Sequence, residues 1–482
     1  MIWVKKYFQG ENELAIEGRT HRPVVNNAIC QQCRICIGEC PAEAVPEYRK
    51  GDETVRGYIY GRENWNDHRD TAPCTAACPI GQKAREYIGL LAQGRLQDAL
   101  ALIRQDNPLP SVCAYICYHP CENDCLRGTW EKPVAIRELK RFAVQYEMDH
   151  PLEIQSILQS RMKPARHQKV LVVGSGPAGM ACAYDLALAG YSVEIQDALD
   201  RPGGMLRVGV PDFRLPRSII DHEIEMLESL GIRFTCGIHL GRDKKFEDLQ
   251  TERDRPVVLA IGNHLAMPLG IPEEDAEGVL NWLTLLNDFN TGKAGKLKGR
   301  VLVVGGGNVA VDVARASLRL GADEVLILYR RSRNEMPASS EEIESAENEG
   351  VRFNFQVAPL HIETREGRVA GLGCVRTRMA DPDESGRRKP VIDSGTEFSI
   401  DAGYVIPTVG QGTDLSFLNK TSVSPKGTLE LDGKGQIRDC QGIFAAGDVV
   451  SGPSSVVQAM ASGRRAAQNV IRYLSDQKAA LI

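Results

Sequence analysis

The sequence contains no apolar run of the roughly 18 residues that a membrane-spanning helix needs, and its first residues lack the apolar core of a signal peptide. It also lacks an excess of one charge, because 58 Lys and Arg residues stand against 63 Asp and Glu residues. Without a basic field, nucleic acid is not an expected partner. These absences predict a cytoplasmic protein without a membrane span. A hydrophobic content of 43% over 482 residues is enough to form buried hydrophobic cores.

A complete dinucleotide-binding fingerprint is carried by the stretch KVLVVGSGPAGMACAYDLALAGYSVEIQD. An apolar strand leads into Gly174, Gly176 and Gly179, then a helical pattern, then a second apolar strand that ends near Asp197. The first glycine permits a tight turn, the second lets a pyrophosphate approach the backbone, and the third lets helix and strand pack closely. An acid at the end of the second strand accepts hydrogen bonds from a ribose diol. A turn that binds nothing is the alternative, but the full context favours binding.

Cysteine is unevenly placed. Ten of the 14 cysteines fall before residue 126, and the other four stand singly and are expected to be packing residues: Cys182, Cys236, Cys374 and Cys440. Without a secretion signal, this clustering favours metal ligation over disulfides. The first group has the spacing C-x2-C-x2-C-x3-C followed by proline, which is the ferredoxin run for a 4Fe-4S cluster: Cys30, Cys33, Cys36 and Cys40. Zinc is the alternative, although structural zinc sites usually take cysteines as separated pairs.

A second cysteine group follows at Cys74, Cys78, Cys113, Cys117, Cys121 and Cys125. Its last four members are spaced by four and would share one face of a continuous helix, but Pro120 favours an interrupted path. Between the two parts of the group, AREYIGLLAQGRLQDALALI predicts a helix, a turn at Gly94 and a second helix. Ten cysteines exceed the eight that two cubanes need, so we expect two 4Fe-4S clusters, with the assignment of each thiolate left open.

The fingerprint restarts near residue 300. An apolar strand leads into Gly305, Gly307, Asn308 and Ala310, where the third glycine of the motif has become alanine. The second strand of this repeat ends in Arg330 and Arg331 instead of an acid. Arginine at this place suits a 2′-phosphate and therefore predicts NADP(H) over NAD(H). Two solvated surface arginines are the alternative.

A third nucleotide signal lies near the C-terminus, where an apolar strand reaches Gly447 and Asp448 and a helix begins at about residue 455. A strand-end aspartate can hold the ribityl chain of a flavin, and a helix N-terminus can stabilise negative charge on the ring. After two nucleotide folds, this pair favours a flavin.

The combined motifs resemble the small chain of NADPH-dependent glutamate synthase, whose module also occurs in dihydropyrimidine dehydrogenase and in the large subunit of electron-bifurcating ferredoxin:NADP transhydrogenases. They are PCTAACP, the run after NPLPSVC, PVAIRELKRF, GVPDFRLP and YRRSRNEMPAS, and the resemblance covers about residues 73–482. It implies an α/β protein with two Rossmann-like dinucleotide-binding domains, for FAD and NADPH, preceded by a mainly helical iron-sulfur domain. The expected domains are 1–160 for iron-sulfur, with the ferredoxin-like run at 30–41, 161–295 with 400–482 for FAD, and an inserted 296–399 for NAD(P)H.

The resemblance also implies which residues meet each cofactor. FAD would contact Gly174, Gly176, Gly179, Asp197, Gly204, Arg214, Gly447 and Asp448. NADPH would contact Gly305, Gly307, Asn308, Ala310, Arg330 and Arg331.

The sequence departs from this family in its N-terminal region. Relatives usually carry an extra C-x2-C shortly before the position of Cys74, which is absent here; the ferredoxin-like run is the candidate to replace it. The family's glutamate or glutamine cluster ligand aligns with Lys140, which cannot ligate as an ammonium. Cys113 could supply the missing ligand, with Glu138 a weaker candidate.

The expected function is that of an electron-transfer subunit in which a hydride passes between NADPH and FAD and single electrons pass between FAD and the clusters. No catalytic side-chain acid or base is required, because the flavin carries the chemistry. Expected partners are redox subunits, iron-sulfur or flavin proteins, or ferredoxin, in a hetero-oligomer. The rivals are a glutamate synthase small chain, a disulfide reductase, which would need a C-x-x-C that neither nucleotide fold contains, and a scaffold or sensor without turnover.

Overall fold

The computed structural model describes residues 72–129, 131–251, 255–382, 388–418 and 422–480. The ferredoxin-like cysteines at positions 30, 33, 36 and 40 lie outside the described residues. The chain divides after Arg161 into two compact units.

The first unit is helical, and several of its helices begin at a proline, whose missing N–H costs nothing at the first helical position. The predicted turn at Gly94 separates the second and third helices, and the chain is interrupted between Ile116 and Pro120 as predicted. The helices are α1 (Pro73–Ala77), α2 (Ala84–Ala92), α3 (Leu96–Asp106), α4 (Pro110–Ile116), α5 (Pro120–Asn123), α6 (Ile136–Asp149) and α7 (Pro151–Ser160).

A buried ion pair joins α3 to α6 in this unit. The Arg104 and Glu147 side chains are 1% and 0% exposed, and the Arg104 Nε donates to Glu147 Oε2 at 3.0 Å. The Tyr87 hydroxyl of α2 donates to the Ile136 carbonyl at 3.2 Å, which ties a third helix to the same core.

The second unit contains every described strand. The strands are β1 (Lys169–Val173), β2 (Ser192–Gln196), β3 (Arg233–Thr235), β4 (Val257–Leu259), β5 (Leu265–Ala266), β6 (Arg300–Val304), β7 (Glu324–Tyr329), β8 (Arg352–Phe355), β9 (Val357–Arg365), β10 (Arg368–Pro382), β11 (Arg388–Ile392), β12 (Phe398–Asp401), β13 (Tyr404–Pro407), β14 (Gln411–Gly412) and β15 (Ile443–Ala445). The helices are α8 (Pro177–Leu188), α9 (Met205–Val208), α10 (Arg217–Glu228), α11 (Phe246–Thr251), α12 (Trp282–Asn290), α13 (Asn308–Arg319), α14 (Ser340–Asn348), α15 (Asp448–Ser451) and α16 (Val456–Ala480).

The first sheet is parallel, with the order β15-β4-β1-β2-β3. Its last strand in sequence, β15, lies beside β4, so a C-terminal segment completes the fold that begins at β1. On one face α8 packs against α16 so closely that a Cβ at Gly463 would lie 2.0 Å from the Ala178 carbonyl oxygen. This contact brings the N-terminal part of α8 next to α16.

The second sheet is also parallel, with the order β13-β6-β7-β8. Val301 and Val303 of β6 pack into the core with α12, α13 and α14, whereas Leu302 and Val304 pack against the antiparallel strands β9–β12, as the period of two along a strand requires. Because β13 supplies the edge strand beside β6, the second sheet extends past the boundary expected at residue 399. A short antiparallel pair, β5 with β14, links the segments that connect the two folds.

Two parallel sheets preceded by a helical unit confirm the predicted fold class. None of the helices in the described ranges is both long and apolar enough to cross a membrane.

Candidate functional site

The first glycine loop closes tightly against β4. A Cβ at Gly174, where φ is +107°, would lie 2.3 Å from the Ala260 carbonyl oxygen, and a Cβ at Gly179 would lie 1.9 Å from the Gly174 carbonyl oxygen. In contrast, no atom lies within 4 Å of a Cβ added at Gly176, directly before α8 begins at Pro177. The loop is therefore packed on the protein side and open where a helix N-terminus can meet an anion.

Asp197 is hydrogen-bonded to this loop. Its carboxylate accepts hydrogen bonds from the Ser175 N–H at 2.6 Å, the Ser175 hydroxyl at 2.5 Å and the Leu199 N–H at 2.8 Å, and it is 7% exposed. The Ser175 hydroxyl oxygen also accepts from the Gly203 N–H at 2.9 Å. The sequence suggested a ribose ligand at this position, and the structure adds a network that fixes the conformation of the glycine loop.

The other predicted FAD segments come together at the same edge of the first sheet. A Cβ at Gly204 would lie 2.9 Å from the Gly176 Cα, and a Cβ at Gly447 would lie 2.8 Å from the Ala178 Cβ. Asp448 follows at the start of α15, where burial raises the pKa of its carboxyl. Gly447, 273 positions after Gly174, thus lies next to the first glycine loop.

Arg214, an expected FAD contact, is bonded to acids of the second fold. Its Nη1 donates to both Asp312 oxygens, at 2.9 and 2.7 Å, and its Nε lies 2.9 Å from Glu342 Oε1. Asp312 belongs to α13 and Glu342 to α14, so this guanidinium joins a loop of the first fold to two helices of the second. Burial raises the pKa of Asp312 to about 6, although Arg214 acts in the opposite direction.

Phe213 extends the same contact. Its ring lies under two guanidinium groups, with the Arg319 Cζ 4.0 Å and the Arg315 Cζ 4.8 Å from the ring centroid. Arg315 also pairs with Glu342 at 2.6 Å. We call these residues, together with Arg214 and Asp312, the interfold clasp.

The second glycine loop is packed against an aromatic ring. A Cβ at Gly306 would lie 2.5 Å from the Tyr329 ring, and one at Gly305 would lie 2.2 Å from Thr408 Oγ1. No atom lies within 4 Å of a Cβ added at Gly307, which directly precedes α13. The second loop therefore repeats the arrangement of the first, closed toward the protein and open at the helix N-terminus.

The two remaining motif positions of this loop have different environments. The Asn308 Oδ1 accepts from the Ser339 N–H at 3.0 Å, which holds the segment before α14 against the loop. Ala310 is fully buried in the core between α13 and the second sheet, as expected for the third position of the motif.

The two arginines after β7 also differ. Arg331 is 8% exposed and its Nε donates to the Arg388 carbonyl at 3.0 Å. Arg330 is exposed, and its backbone carbonyl accepts a hydrogen bond from the Thr377 hydroxyl at 2.8 Å. Arg330 is thus the solvent-accessible arginine of the two.

Six of the predicted cysteine ligands lie in the described part of the first unit, and all six are free thiols: Cys74, Cys78, Cys113, Cys117, Cys121 and Cys125. Their mutual electrostatic effects connect them. Burial raises the pKa of Cys74, and the nearby Cys125 raises it further. Burial also raises the pKa of Cys121, and Cys117 and Cys78 add to this effect. Cys74 and Cys125 therefore influence each other, and so do Cys121, Cys117 and Cys78.

Cys113 and Cys117 share a hydrogen bond that lowers the pKa of Cys117 and raises that of Cys113. Burial raises the pKa of Cys121 to about 12, whereas the Lys140 ammonium acts to lower it. The six cysteines thus include Cys117, whose thiolate is stabilised, and Cys121, whose burial favours the neutral thiol.

Within the described residues, no three His, Cys, Asp or Glu side chains are arranged to hold a metal ion. The donor chemistry still fits an iron-sulfur cluster, because thiolates are its ligands and the described part of this unit carries six cysteines. The Asn107 side chain is fully buried, and its Oδ1 lies 3.9 Å from Cys113 Sγ while its Nδ2 has no hydrogen-bond partner. A buried donor beside a thiol fits such a site, because hydrogen bonds to the sulfurs help to set a cluster's potential.

Comparison with protein families decides the assignment. The pyridine nucleotide-disulphide oxidoreductase family matches residues 168–463, more than half of the chain. The chain belongs to this family. Residues 68–152 match a second family, dihydropyrimidine dehydrogenase domain II, 4Fe-4S cluster, which covers the six thiols described above. The predicted combination of a nucleotide-binding flavoprotein fold with a 4Fe-4S region is thereby confirmed.

Several family members are similar over most of this chain. The beta subunit of NADP(+)-dependent formate dehydrogenase from Moorella thermoacetica is 41% identical over 84% of this chain and 60% of its own length. The beta subunit of NADPH-Fe(3+) oxidoreductase from Geobacter sulfurreducens is 38% identical over 94% and 71%. The glutamate synthase [NADPH] small chain of Escherichia coli is 34% identical over 83% and 88%. The predicted resemblance to this last family is confirmed, and the chain spans only part of the formate dehydrogenase subunit.

Three features of the site were missed by sequence reasoning. The Ser175–Asp197 network, the interfold clasp and the burial of Lys140 depend on side-chain directions that the motifs do not report. A signal for Lys140 was present, because it shares one helical face of α6 with Ile136, Ala143 and Glu147.

Proposed function

We propose that this chain is the pyridine-nucleotide subunit of an electron-transfer complex. NADPH binds at the second glycine loop, FAD at the first, and 4Fe-4S clusters in the helical unit and the ferredoxin-like run pass electrons to or from a partner. The observation that carries the proposal is the pair of similar loops, one beside Asp197 and the other beside Arg330. It is supported by relatives that are named as beta subunits of NADP(+)- or NADPH-dependent oxidoreductases.

The first fold is proposed to hold FAD through the Gly174–Gly179 loop, Gly204 and the Gly447–Asp448 pair. FAD, when bound, exchanges a hydride with NADPH and single electrons with iron-sulfur clusters. The chain contributes positioning: the open space at Gly176 admits a pyrophosphate, and Asp197 keeps the loop in the conformation that leaves this space open. Arg214 is proposed to act through the interfold clasp and not as an FAD ligand.

The second fold is proposed to select NADPH through Arg330. Its side chain is exposed at the end of β7, where the 2′-phosphate of a bound nucleotide lies in this type of fold. Arg331 supports the site from the buried side by its bond to the Arg388 carbonyl.

The cluster ligands are proposed to come from the six thiols of the helical unit and from Cys30, Cys33, Cys36 and Cys40. Two clusters are expected; of the hydride that enters at the nucleotide folds, the two electrons would leave singly through the clusters and the proton would pass to solvent. The partners would be further redox subunits or ferredoxin.

An anaerobic titration of the purified chain tests this proposal. NADPH should bleach the flavin absorbance and produce EPR signals of reduced cubanes, and iron analysis should give the number of clusters. Flavin that stays oxidised under excess NADPH, with the partner present, would refute electron transfer and favour a sensor or scaffold.

Arg330→Ala tests the nucleotide selectivity. Loss of a charge-assisted bond worth about 1.5–3 kcal/mol should weaken NADPH binding about tenfold or more and leave NADH unchanged. Arg333→Ala is the control, because Arg333 is a nearby exposed arginine that pairs with Glu347. Equal losses for both nucleotides in the Arg330 variant would contradict its role.

A glutamate synthase small chain is the second candidate, because that protein from Escherichia coli matches over 88% of its length. Copurification decides between the two. A large glutamine-hydrolysing partner and NADPH-dependent glutamate formation would favour the second candidate, whereas iron-sulfur or flavin partners would favour the first.

A further inference from the structure

Asn290 is the last residue of α12, and its side-chain amide is bonded to a single segment of backbone. The Oδ1 accepts a hydrogen bond from the Asp212 N–H at 3.2 Å. The Nδ2 donates to three carbonyl oxygens, at 3.2, 3.2 and 3.1 Å: those of Arg207, Val208 and Val210. Both ends of the amide are therefore used to hold residues 207–212, and none of these bonds goes to α12 itself.

The helix and the segment belong to different folds. Trp282 and Leu286 of α12 are buried in the core that α12 shares with β6, α13 and α14. The segment includes the end of α9, and a Cβ on Gly204, which directly precedes α9, would lie 2.9 Å from the Gly176 Cα in the first glycine loop. The Asn290 amide thus joins the second fold to backbone that lies close to the first glycine loop.

Aromatic and ionic contacts extend the same junction. The Phe213 ring meets the Phe289 ring of α12 edge-on, with centroids 6.0 Å apart and an angle of 82° between the planes. Arg214 binds Asp312, which lies four positions after Asn308 and so about one turn into the helix that follows the second glycine loop. One stretch of chain therefore reaches from the first glycine loop to the beginning of α13.

Hydride transfer requires a fixed relation between the two folds. A reduced nicotinamide and a flavin react when the donor and acceptor atoms lie about 3–3.5 Å apart, so a displacement of about 1 Å can lower the rate about a hundredfold. Because each proposed cofactor is held by its own glycine loop, the relative position of the two folds sets this distance. The Asn290 amide is suited to fix it, since it holds backbone groups of the first fold from a buried helix of the second.

We propose that Asn290 is a positioning residue for hydride transfer: its amide fixes residues 207–212 and so sets the position of the NADPH fold relative to the FAD fold. The inference rests on the two nucleotide sites proposed above. In the reaction, a C–H bond of the reduced nicotinamide breaks, and the hydride, one proton with two electrons, passes to the oxidised flavin. NADPH is thereby oxidised and the flavin reduced by two electrons, and no bond to Asn290 changes.

Asn281→Ala is the matched control for Asn290→Ala, because both asparagines belong to the same helix. Asn281 is the N-cap of α12, and its Oδ1 accepts from the Leu283 and Thr284 N–H groups at 2.9 and 3.2 Å. Its removal weakens α12 at the opposite end from Asn290 and leaves the bonds to residues 207–212 in place.

Anaerobic stopped-flow mixing of the full-length flavoprotein with NADPH measures the limiting rate constant of flavin reduction and the dissociation constant for NADPH. Asn290→Ala should lower the limiting rate about tenfold or more and change the dissociation constant by less than about twofold, because the second glycine loop is intact. The long-wavelength charge-transfer absorbance of nicotinamide stacked on flavin should fall with the rate. Flavin reduction by dithionite, which needs no nucleotide, should be unchanged. Asn281→Ala should keep the wild-type values.

The outcomes distinguish this inference from the proposed function. Wild-type flavin that NADPH does not reduce would refute the proposed function itself. An unchanged limiting rate in Asn290→Ala, with or without weaker NADPH binding, would overturn the role of Asn290 alone. An equal fall in Asn281→Ala would also overturn it, because the effect would then come from weakening α12. If Asn290→Ala does not retain flavin, Asn290→Ser keeps one donor and should give a lower limiting rate than Asn281→Ala; equal rates would overturn the role.

Discussion

Replacing Arg214 by methionine tests how the two nucleotide folds are held together. Arg214 is 10% exposed at its side chain and is bonded to Asp312, whose side chain is 5% exposed, and to Glu342. Methionine fills a similar volume but leaves both carboxylates without this cation. Since the pair is buried, removing one partner strands a charge in a poorly solvated place.

The expected cost is about 3–5 kcal/mol of unfolding free energy at pH 8, the range found when one partner of a buried ion pair is removed. Exposed pairs contribute about 0–1 kcal/mol. Arg201 is the matched control, because it pairs with Asp221 at 3.3 Å while its side chain is 65% exposed. Arg201→Met should therefore cost less than about 1 kcal/mol.

The cost should depend on pH through Asp312. Its folded pKa of about 6 lies above the usual 3.8, so the folded protein binds this proton more tightly than the unfolded chain. The stabilisation from this carboxyl is complete below its unfolded pKa and is lost as the pH rises through about 6. Without Arg214 the folded pKa rises further, so the variant loses more stability than wild type between pH 6 and 8. At pH 5, below that pKa, Asp312 is mostly protonated in the wild type, so the cost of the mutation should be smaller than at pH 8.

Urea denaturation at pH 8 and pH 5, with saturating FAD in every sample, measures the difference. The double variant Arg214→Met/Asp312→Asn should recover part of the loss, because the stranded charge is gone. A cost equal at both pH values, or equal to that of Arg201→Met, would refute the clasp as a buried ion pair.

Two further predictions concern the glycine loops. Gly306→Ala should lower the free energy of unfolding by about 1–3 kcal/mol, measured by urea denaturation, because the new Cβ would lie 2.5 Å from the Tyr329 ring. Gly307→Ala is the control and should lower it less, because no atom lies within 4 Å of its Cβ. Equal losses would contradict the packing of the loop. Ser175→Ala removes a hydroxyl that donates to Asp197 at 2.5 Å, so it should cost about 1–3 kcal/mol and reduce the flavin retained on gel filtration, measured by visible absorbance. Unchanged flavin content would show that this network does not shape the FAD site.

The sequence predicted the two nucleotide loops well because their determinants are local. Glycines at fixed spacing between an apolar strand and a helix specify the turn, and Gly174 and Gly305 both follow their strands directly. These loops need only patterns within about 30 residues. The resemblance, and not a local pattern, implied that a C-terminal segment completes the first fold, where β15 lies beside β4.

The interfold clasp was beyond such patterns. Arg214 and Asp312 are separated by 98 positions, and their pairing depends on how a loop of one fold meets a helix of the other. The motif GVPDFRLP marked the segment but not the direction of its arginine. The resemblance implied an FAD contact for Arg214, and the structure adds that its Nη1 and Nε engage acids of the second fold.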